Sequence, residues 1–321
     1  MNAAGVCSNP MFCGHFPGRL QVQTMILHAD EFARRSRKDY HDIMEPNDVF
    51  KGLDRLKTAP MPTYHSAGAD ERAAFLAEKG AAADKFVRQF FDSDIQCTLL
   101  VLHEEDWRAR TSVDYGYILG SANRVWYPAA GAENPFFPKL AEFFANCPGD
   151  LRGQLCDCLG EPDAERAFRT ACLVWWDNWI PHELTHNYQT ADSVVFGLKW
   201  FVELFADYVA YAFLKAQDGR LGTETKAVEL LAEILYRGGH DAVRFSSLED
   251  FEKHYMGVGP ANYCWYHGKF LLGVMDLYRR FGEDFIGATV RTFRVTDDSL
   301  VARIDSVCRG TAEWFGRWRS S

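Results

Sequence analysis

The chain has no apolar run that approaches the roughly 18–20 residues needed to cross a bilayer, so the sequence predicts no membrane span. It is also short of cationic side chains: 35 Lys and Arg stand against 44 Asp and Glu, for a formal net charge of −9. General affinity for nucleic acid or for an anionic membrane requires a basic face. We therefore expect neither nucleic acid nor a membrane among its partners.

A signal for export is also missing. The first residues, MNAAGVCSNPMFCGHFPGRLQVQ, have no basic segment followed by an apolar one, which argues against a secretory signal peptide. The nine cysteines are an odd number and are scattered, which indicates reduced thiols and a cytoplasmic location. Cys156 and Cys158 form a C-x-C pair without a second pair at zinc-knuckle spacing, so we interpret them as free thiols in a loop.

What the sequence does contain is typical of a folded protein, since 47% of its 321 residues are apolar and 25% are charged. Residues 1–24 are rich in Gly, Pro, Asn and Cys and are predicted to be a flexible tail, with Met25 as an alternative start of translation. Residues 25–92 are predicted to be a helical region, interrupted by the loop KTAPMPTYHSAGAD.

A signal for β-structure follows. The segment IQCTLLVLH, residues 95–103, has the composition of a strand, and RVWYP ends a second one with a proline. A strand that ends in proline is usually an edge or terminal strand, because proline cannot donate to the ladder. Helical patterns dominate beyond residue 165, at 165–190, 198–217, 223–237, 247–256, 262–281, 283–294 and 298–318. This order indicates an α+β fold, with an α/β upper lobe at 93–171 and a helical lobe at 172–321.

The most informative motif lies in WWDNWIPHELTHNYQ, residues 175–189, where His182, Glu183 and His186 form H-E-x-x-H. On a helix, the two histidines are one turn apart and can present two imidazoles to one metal ion. Glu183 then projects about 100° around the axis, beside the ion, where it can take a proton from a metal-bound water. The alternative is a pair of solvated histidines on a surface helix.

The next predicted helix, LKWFVELFADYVAYAFL, offers two carboxylates, because Glu203 and Asp207 interrupt a wide apolar stripe one turn apart. A carboxylate beside such a surface is costly unless it is paired or ligated. A zinc site accounts for both residues, with Glu203 as third ligand and Asp207 accepting the free N–H of a ligating histidine. The alternative is an exposed acidic face at the margin of the stripe.

The combination of HELTH, sixteen intervening residues and ELFAD resembles the gluzincin metallopeptidases, the thermolysin-like and aminopeptidase-like clan, over about residues 95–290. The resemblance implies a two-lobed, zincin-like catalytic domain that binds Zn²⁺. It also assigns roles: zinc ligands His182, His186 and Glu203, catalytic base Glu183, and Asp207 as partner of the first histidine.

A rival third ligand is Asp192, which occupies the last position of the metzincin pattern H-E-x-x-H-x-x-G-x-x-[H/D]. That pattern expects glycine at the sharp reversal of the chain, where this sequence has Gln189. Asp192 also leaves Glu203 and Asp207 unexplained. The gluzincin set is therefore the favoured prediction.

The resemblance has two further implications. A strand over the metal pairs with an extended substrate, and ANRVWYP, residues 122–128, looks like that strand, with TLLVLHEEDW as its inner neighbour. The segment NYCWYHGKFLLGVMDLYRRFGEDF resembles the helix that supplies an oxyanion donor, with His267 as first candidate and Tyr266 as second. The alternative is that these rings pack around Gly268.

The sequence therefore predicts a zinc-dependent peptidase that acts on a peptide or protein substrate. The absence of a G-x-M-E-N run argues against an aminopeptidase. A second hypothesis has the same fold and the same metal but no catalytic activity. In that case the chain is a catalytically inert, gluzincin-like binding or scaffolding module with structural zinc.

Overall fold

The structure of the chain, a computed structural model, describes residues 49–194, 196–292 and 300–319, which all belong to one unit. The predicted tail, the alternative start at Met25 and the first part of the 25–92 region lie outside these residues. Within the described ranges, no helix is long and apolar enough to cross a membrane.

Five short strands form one mixed sheet. In chain order they are β1 Asp54–Arg55, β2 Thr63–His65, β3 Thr98–Leu102, β4 Leu119–Ser121 and β5 Arg124–Pro128. Their order across the sheet is β1-β2-β3-β5-β4. The inner strands β2, β3 and β5 run parallel, while β1 and β4 are antiparallel to their neighbours. The consecutive residues 99–102 of β3 are all buried, which is typical of a central parallel strand that is covered on both faces.

The substrate strand predicted at residues 122–128 needs correction. Residues 124–128 form β5, which lies between β3 and β4 and is therefore internal; the edge strands are β1 and, next to β5, β4. Ala122 and Asn123 have φ values of 51° and 58°, which make a tight turn and return the chain antiparallel. Pro128 is tolerated because it is the last residue of its strand. The predicted pairing of β5 with the strand at 98–102 is confirmed.

The sheet also begins earlier than the predicted lobe boundary at residue 93. The segment predicted as the loop KTAPMPTYHSAGAD contains β2, in which Thr63 pairs with Leu99 and His65 with Val101 of β3. A strand of three residues carries too little alternation to be recognised, and its stability comes from a partner more than thirty residues away. The helical prediction holds further along, over Asp70–Val87.

Helices make up most of the described chain. The longer ones are α1 Asp70–Val87, α2 Glu104–Arg108, α3 Ala141–Asn146, α4 Gly149–Leu159, α5 Ala164–Asp177, α6 Ile180–Ala191, α7 Lys199–Ala216, α8 Asp218–Gly239, α9 Leu248–His254, α10 Pro260–Phe281, α11 Asp284–Thr292, α12 Leu300–Val307 and α13 Thr311–Arg319. Short 3₁₀ helices span Arg88–Phe90, Gly131–Glu133, Phe137–Leu140 and Tyr255–Val258. The predicted α+β class is confirmed.

Two local predictions are wrong. The single helix expected at 165–190 is two helices, because α5 ends at Asp177 and α6 begins at Ile180 after a short turn. Cys156 and Cys158 lie on α4 rather than in a loop, although both are free thiols as expected.

Helix α6 contacts both the sheet and the helices of the second half. It packs against α1, against α7 and against the edge strand β4, and α10 packs in turn on α7 and α8. Side chains on α6, α7 and α10 therefore meet beneath the edge of the sheet.

Candidate metal centre

The H-E-x-x-H motif lies in the first half of α6. Pro181 is in the first turn, where its missing N–H costs little and its fixed φ suits the helix. His182 is 2% exposed and Glu183 8%, and the His186 side chain is 19% exposed. The alternative of two solvated surface histidines is therefore wrong, because the surrounding helices and strand bury the motif.

Three side-chain atoms converge at this point. Nε2 of His182 lies 3.0 Å from Nε2 of His186 and 3.2 Å from Oε2 of Glu203, and the remaining side of the triangle is 3.7 Å. A tetrahedral zinc ion with bonds of 2.0–2.1 Å separates its ligand atoms by roughly 3.3 Å. In the described part of the chain, this group alone brings three potential ligand residues close enough to hold a metal ion.

The partners of the other ring nitrogens orient these atoms. Nδ1 of His182 lies 2.9 Å from Oδ1 of Asp207, and Nδ1 of His186 lies 3.1 Å from Oε1 of Gln189. Both oxygens accept a hydrogen bond from Nδ1, so that each ring, in its neutral form, carries its proton on Nδ1 and presents a lone pair at Nε2. Two imidazole lone pairs and one carboxylate oxygen then face each other, an arrangement that a divalent cation stabilises.

Glu203 is buried in α7, with 1% of its surface exposed, and its environment favours the charged form. Burial would raise its pKa, but His186 and His182 hold that pKa well below its ordinary value. Burial would likewise lower the pKa of His182, yet hydrogen bonds to Asp207 and Glu203 outweigh it and raise the pKa to about 10. The alternative of an exposed acidic face on α7 is wrong for both Glu203 and Asp207, which is 2% exposed.

Asp207 accepts hydrogen bonds from two histidines. Its second oxygen, Oδ2, lies 2.8 Å from Nδ1 of His267 on α10. His267 is 1% exposed, its Nε2 lies 3.8 Å from Oε2 of Glu203, and no described residue makes a hydrogen bond to that Nε2. The predicted candidate His267 is therefore beside the cluster, with one ring nitrogen aimed towards it.

The second predicted candidate, Tyr266, is not at the site. Its hydroxyl donates to the carbonyl oxygen of Ser247 at 2.7 Å. Adjacent residues on a helix project about 100° apart, so only one of the two neighbours can face α7. The rival ligand Asp192 is occupied elsewhere too, since it accepts from the N–H of Asp92 at 2.7 Å and from the hydroxyl of Ser93.

Glu183 lies at the contact between α6 and the edge strand. A Cβ placed on Gly120 of β4 would come within 2.3 Å of the carbonyl oxygen of Glu183 and 2.9 Å of its Oε2. Only glycine allows the strand to approach this closely. Burial raises the pKa of Glu183, while His182 and His186 act in the opposite direction.

Sequence reasoning missed three residues that bind the cluster. The hydroxyls of Tyr255 and Tyr263 donate to Oε1 and Oε2 of Glu203, at 2.5 Å and 3.2 Å, and Gln189 holds His186. Tyr263 precedes His267 by one helical turn, a spacing that places both on one face of α10. Gln189 stands three residues after His186. No local signal marks Tyr255.

Comparisons with known proteins provide no relative for this chain. No family model matches the sequence, and neither a curated protein nor a solved structure matches it significantly. The relation to gluzincins therefore stays a prediction from the motif.

Proposed function

We propose that the chain is a zinc-dependent peptidase with a zincin-like catalytic domain of the gluzincin kind. The observation that carries the proposal is the convergence of Nε2 of His182, Nε2 of His186 and Oε2 of Glu203 at separations of 3.0–3.7 Å. The number of protein ligands also fits, because catalytic zinc sites use three and keep a fourth position for water or substrate. When bound, zinc would polarise a carbonyl group and make a water molecule more acidic.

Glu183 acts as the general base and then as the general acid. It follows the first ligand on α6 and is nearly buried beside the cluster, so its carboxylate can take a proton from the attacking water. The carboxylic acid formed in this way then gives its proton to the nitrogen of the leaving amine. Because burial raises the pKa of Glu183, its conjugate acid is a closer match to a working pH near neutrality than an exposed glutamate would be.

His267 holds the oxygen of the scissile carbonyl. Asp207 orients its ring through Nδ1, and Nε2 can donate a hydrogen bond to a developing oxyanion when both ring nitrogens carry a proton. Its burial keeps competing water away from this position. Tyr266, which is bonded to Ser247, has no part in the reaction.

The substrate is an extended peptide that binds along β4. This strand pairs with β5 on one side, and no strand among the described residues pairs with its other edge, where a peptide could add main-chain hydrogen bonds. The contact between Gly120 and Glu183 brings that edge next to the proposed base. A peptide bound there would lie across the metal ligands.

One observation favours the second candidate, an inert binding or scaffolding module with structural zinc. The ligands His182 and Glu203 are 2% and 1% exposed, and His267 points a further nitrogen towards Glu203 from 3.8 Å. If that nitrogen were a fourth ligand, the site would be closed, as structural zinc sites are.

Digestion of a diverse peptide mixture decides between the two. We expect cleavage by the zinc-loaded protein, loss of cleavage with a chelator, and recovery when zinc is restored. Glu183→Gln should keep one zinc per chain while turnover falls by about 10²–10⁴-fold, the usual contribution of a general base. Glu142→Gln, at an exposed position on α3, is the control and should behave as wild type. A zinc-loaded protein that cleaves no peptide would favour the scaffolding module.

A further inference from the structure

The two oxygens of the Glu203 carboxylate have different environments. Oε2 faces the ligand nitrogens of His182 and His186, and it also accepts a hydrogen bond from Tyr263 at 3.2 Å. Oε1 accepts from the hydroxyl of Tyr255 at 2.5 Å. Oε2 therefore belongs to the ligand cluster and also accepts from Tyr263, whereas Oε1 accepts from Tyr255.

Tyr255 reaches Oε1 from a backbone conformation that tyrosine rarely adopts. It follows the last residue of α9 with φ 48° and ψ −124°, and its N–H donates to the carbonyl oxygen of Phe251. Glycine would fit this conformation more easily. A strained conformation of this kind persists where the surrounding contacts impose it, and such residues cluster at functional sites. What tyrosine supplies here, and glycine could not, is the hydroxyl bound to Glu203.

The binding mode of Glu203 determines how many positions around a metal remain free. A carboxylate can bind a cation through one oxygen or through both. Binding through both oxygens would occupy the position that a catalytic zinc site keeps open for water or substrate. A hydrogen bond to Oε1 disfavours that mode, because it occupies a lone pair of this oxygen and withdraws its charge.

We propose that Tyr255 is a positioning residue of the metal centre: its hydroxyl restricts Glu203 to binding through Oε2, so that one coordination position stays open. This inference rests on the proposed function, since it requires a metal ion at His182, His186 and Glu203. It assigns Tyr255 a role in the geometry of the site and no direct role in the reaction.

The test is X-ray absorption spectroscopy of the zinc-loaded protein and of Tyr255→Phe. The distance between the metal and the carboxylate carbon is short when both oxygens bind and longer when one does. We expect the longer distance in the wild type and a shift to the shorter one in Tyr255→Phe. The substitution keeps the ring, which packs against Phe251 and Tyr263. Tyr266→Phe, which removes a hydroxyl bonded to the carbonyl oxygen of Ser247 and not to Glu203, is the matched control and should retain the wild-type distance.

Each outcome separates this inference from the proposed function. A wild-type protein that binds no zinc would refute the proposed function and the inference with it. Zinc binding with the same metal–carbon distance in wild type and Tyr255→Phe would refute the inference alone. Complete loss of zinc from Tyr255→Phe would also refute it, because the hydroxyl would then hold Glu203 in place rather than restrict it. If Tyr255→Phe does not fold, the wild-type protein alone provides the test. A short distance between the metal and the carboxylate carbon of Glu203 in the wild type would then refute the inference.

Discussion

Two buried polar clusters lie at the two ends of the turn between α5 and α6, and they differ in how their charge is balanced. In the first, Asp177 accepts from both terminal nitrogens of Arg72 and from the hydroxyl of Tyr127. In the second, the ion-pair partners described for Glu203 and Asp207 are histidines.

The difference shows which cluster is structural. Arginine is charged at every accessible pH, so the chain itself compensates Asp177, and the cluster ties α1, β5 and α5 together. A histidine, unlike an arginine, can give up a ring proton and offer a lone pair in its place, which suits a cluster that could bind a cation. We therefore expect changes in the first cluster to alter the stability of the fold, and changes in the second to alter metal binding.

The largest effect is expected from His182→Ala. Loss of a residue that only orients a ligand lowers metal affinity by at most about 100-fold. Loss of a ligand itself should therefore lower zinc affinity by more than that. Competition with a chromophoric chelator measures the affinity, and His240→Ala, at an exposed position after α8, is the control. Unchanged zinc affinity in His182→Ala would show that the second cluster is not a metal centre.

The first cluster is tested by Arg72→Met. Asp177 would remain buried without its cation, and breaking a buried pair from one side costs about 3 kcal/mol in the free energy of unfolding. Denaturant titration measures this cost, and zinc content per folded chain should not change. The double variant with Asp177→Asn should recover part of the loss, because no buried charge is then left unpaired. If Arg72→Met instead lowers zinc affinity at full stability, the two clusters are not separate.

Asp207→Asn should have a smaller effect on the second cluster. The amide cannot accept from both His182 and His267 with its two side-chain atoms, so the orientation of one ring is lost. We expect zinc affinity to fall by about 10–100-fold, as for other residues that orient a ligand. The matched variant Asp177→Asn, at the first cluster, should leave zinc affinity unchanged. Equal losses in both variants would point to a general effect of stability.

The smallest effect is expected from Tyr266→Phe. It removes one hydrogen bond, to the carbonyl oxygen of Ser247, and should lower the free energy of unfolding by about 1 kcal/mol. Neither zinc affinity nor peptide cleavage should change. A fall in cleavage at unchanged stability would return Tyr266 to the list of residues that stabilise the oxyanion.

The residues of the second cluster differ in how far local pattern predicts them. The pairs His182 with His186 and Glu203 with Asp207 are each one turn apart on a helix, so their shared faces follow from helical geometry. His267 required the resemblance to a known clan, because nothing local distinguishes it from Tyr266. Tyr255 was missed because its position depends on an unusual backbone conformation at the end of α9. Gly120 was missed because β4 is three residues long and is recognisable only beside β5 and α6.

The amino-acid sequence by itself predicted the α+β class, the helical character of the second half and the three side chains, His182, His186 and Glu203, that lie close enough together to hold a metal ion. The helices follow from their own periodicity, the class follows from the order of the elements, and the ligand set follows from the motif and its resemblance to a known clan. Only the tertiary structure decided which strand forms the edge, that Asp207 joins two histidines, and that Tyr255 and Tyr263 bind opposite oxygens of Glu203. These contacts join residues between 25 and 60 positions apart, or depend on strand order, and packing between elements determines them.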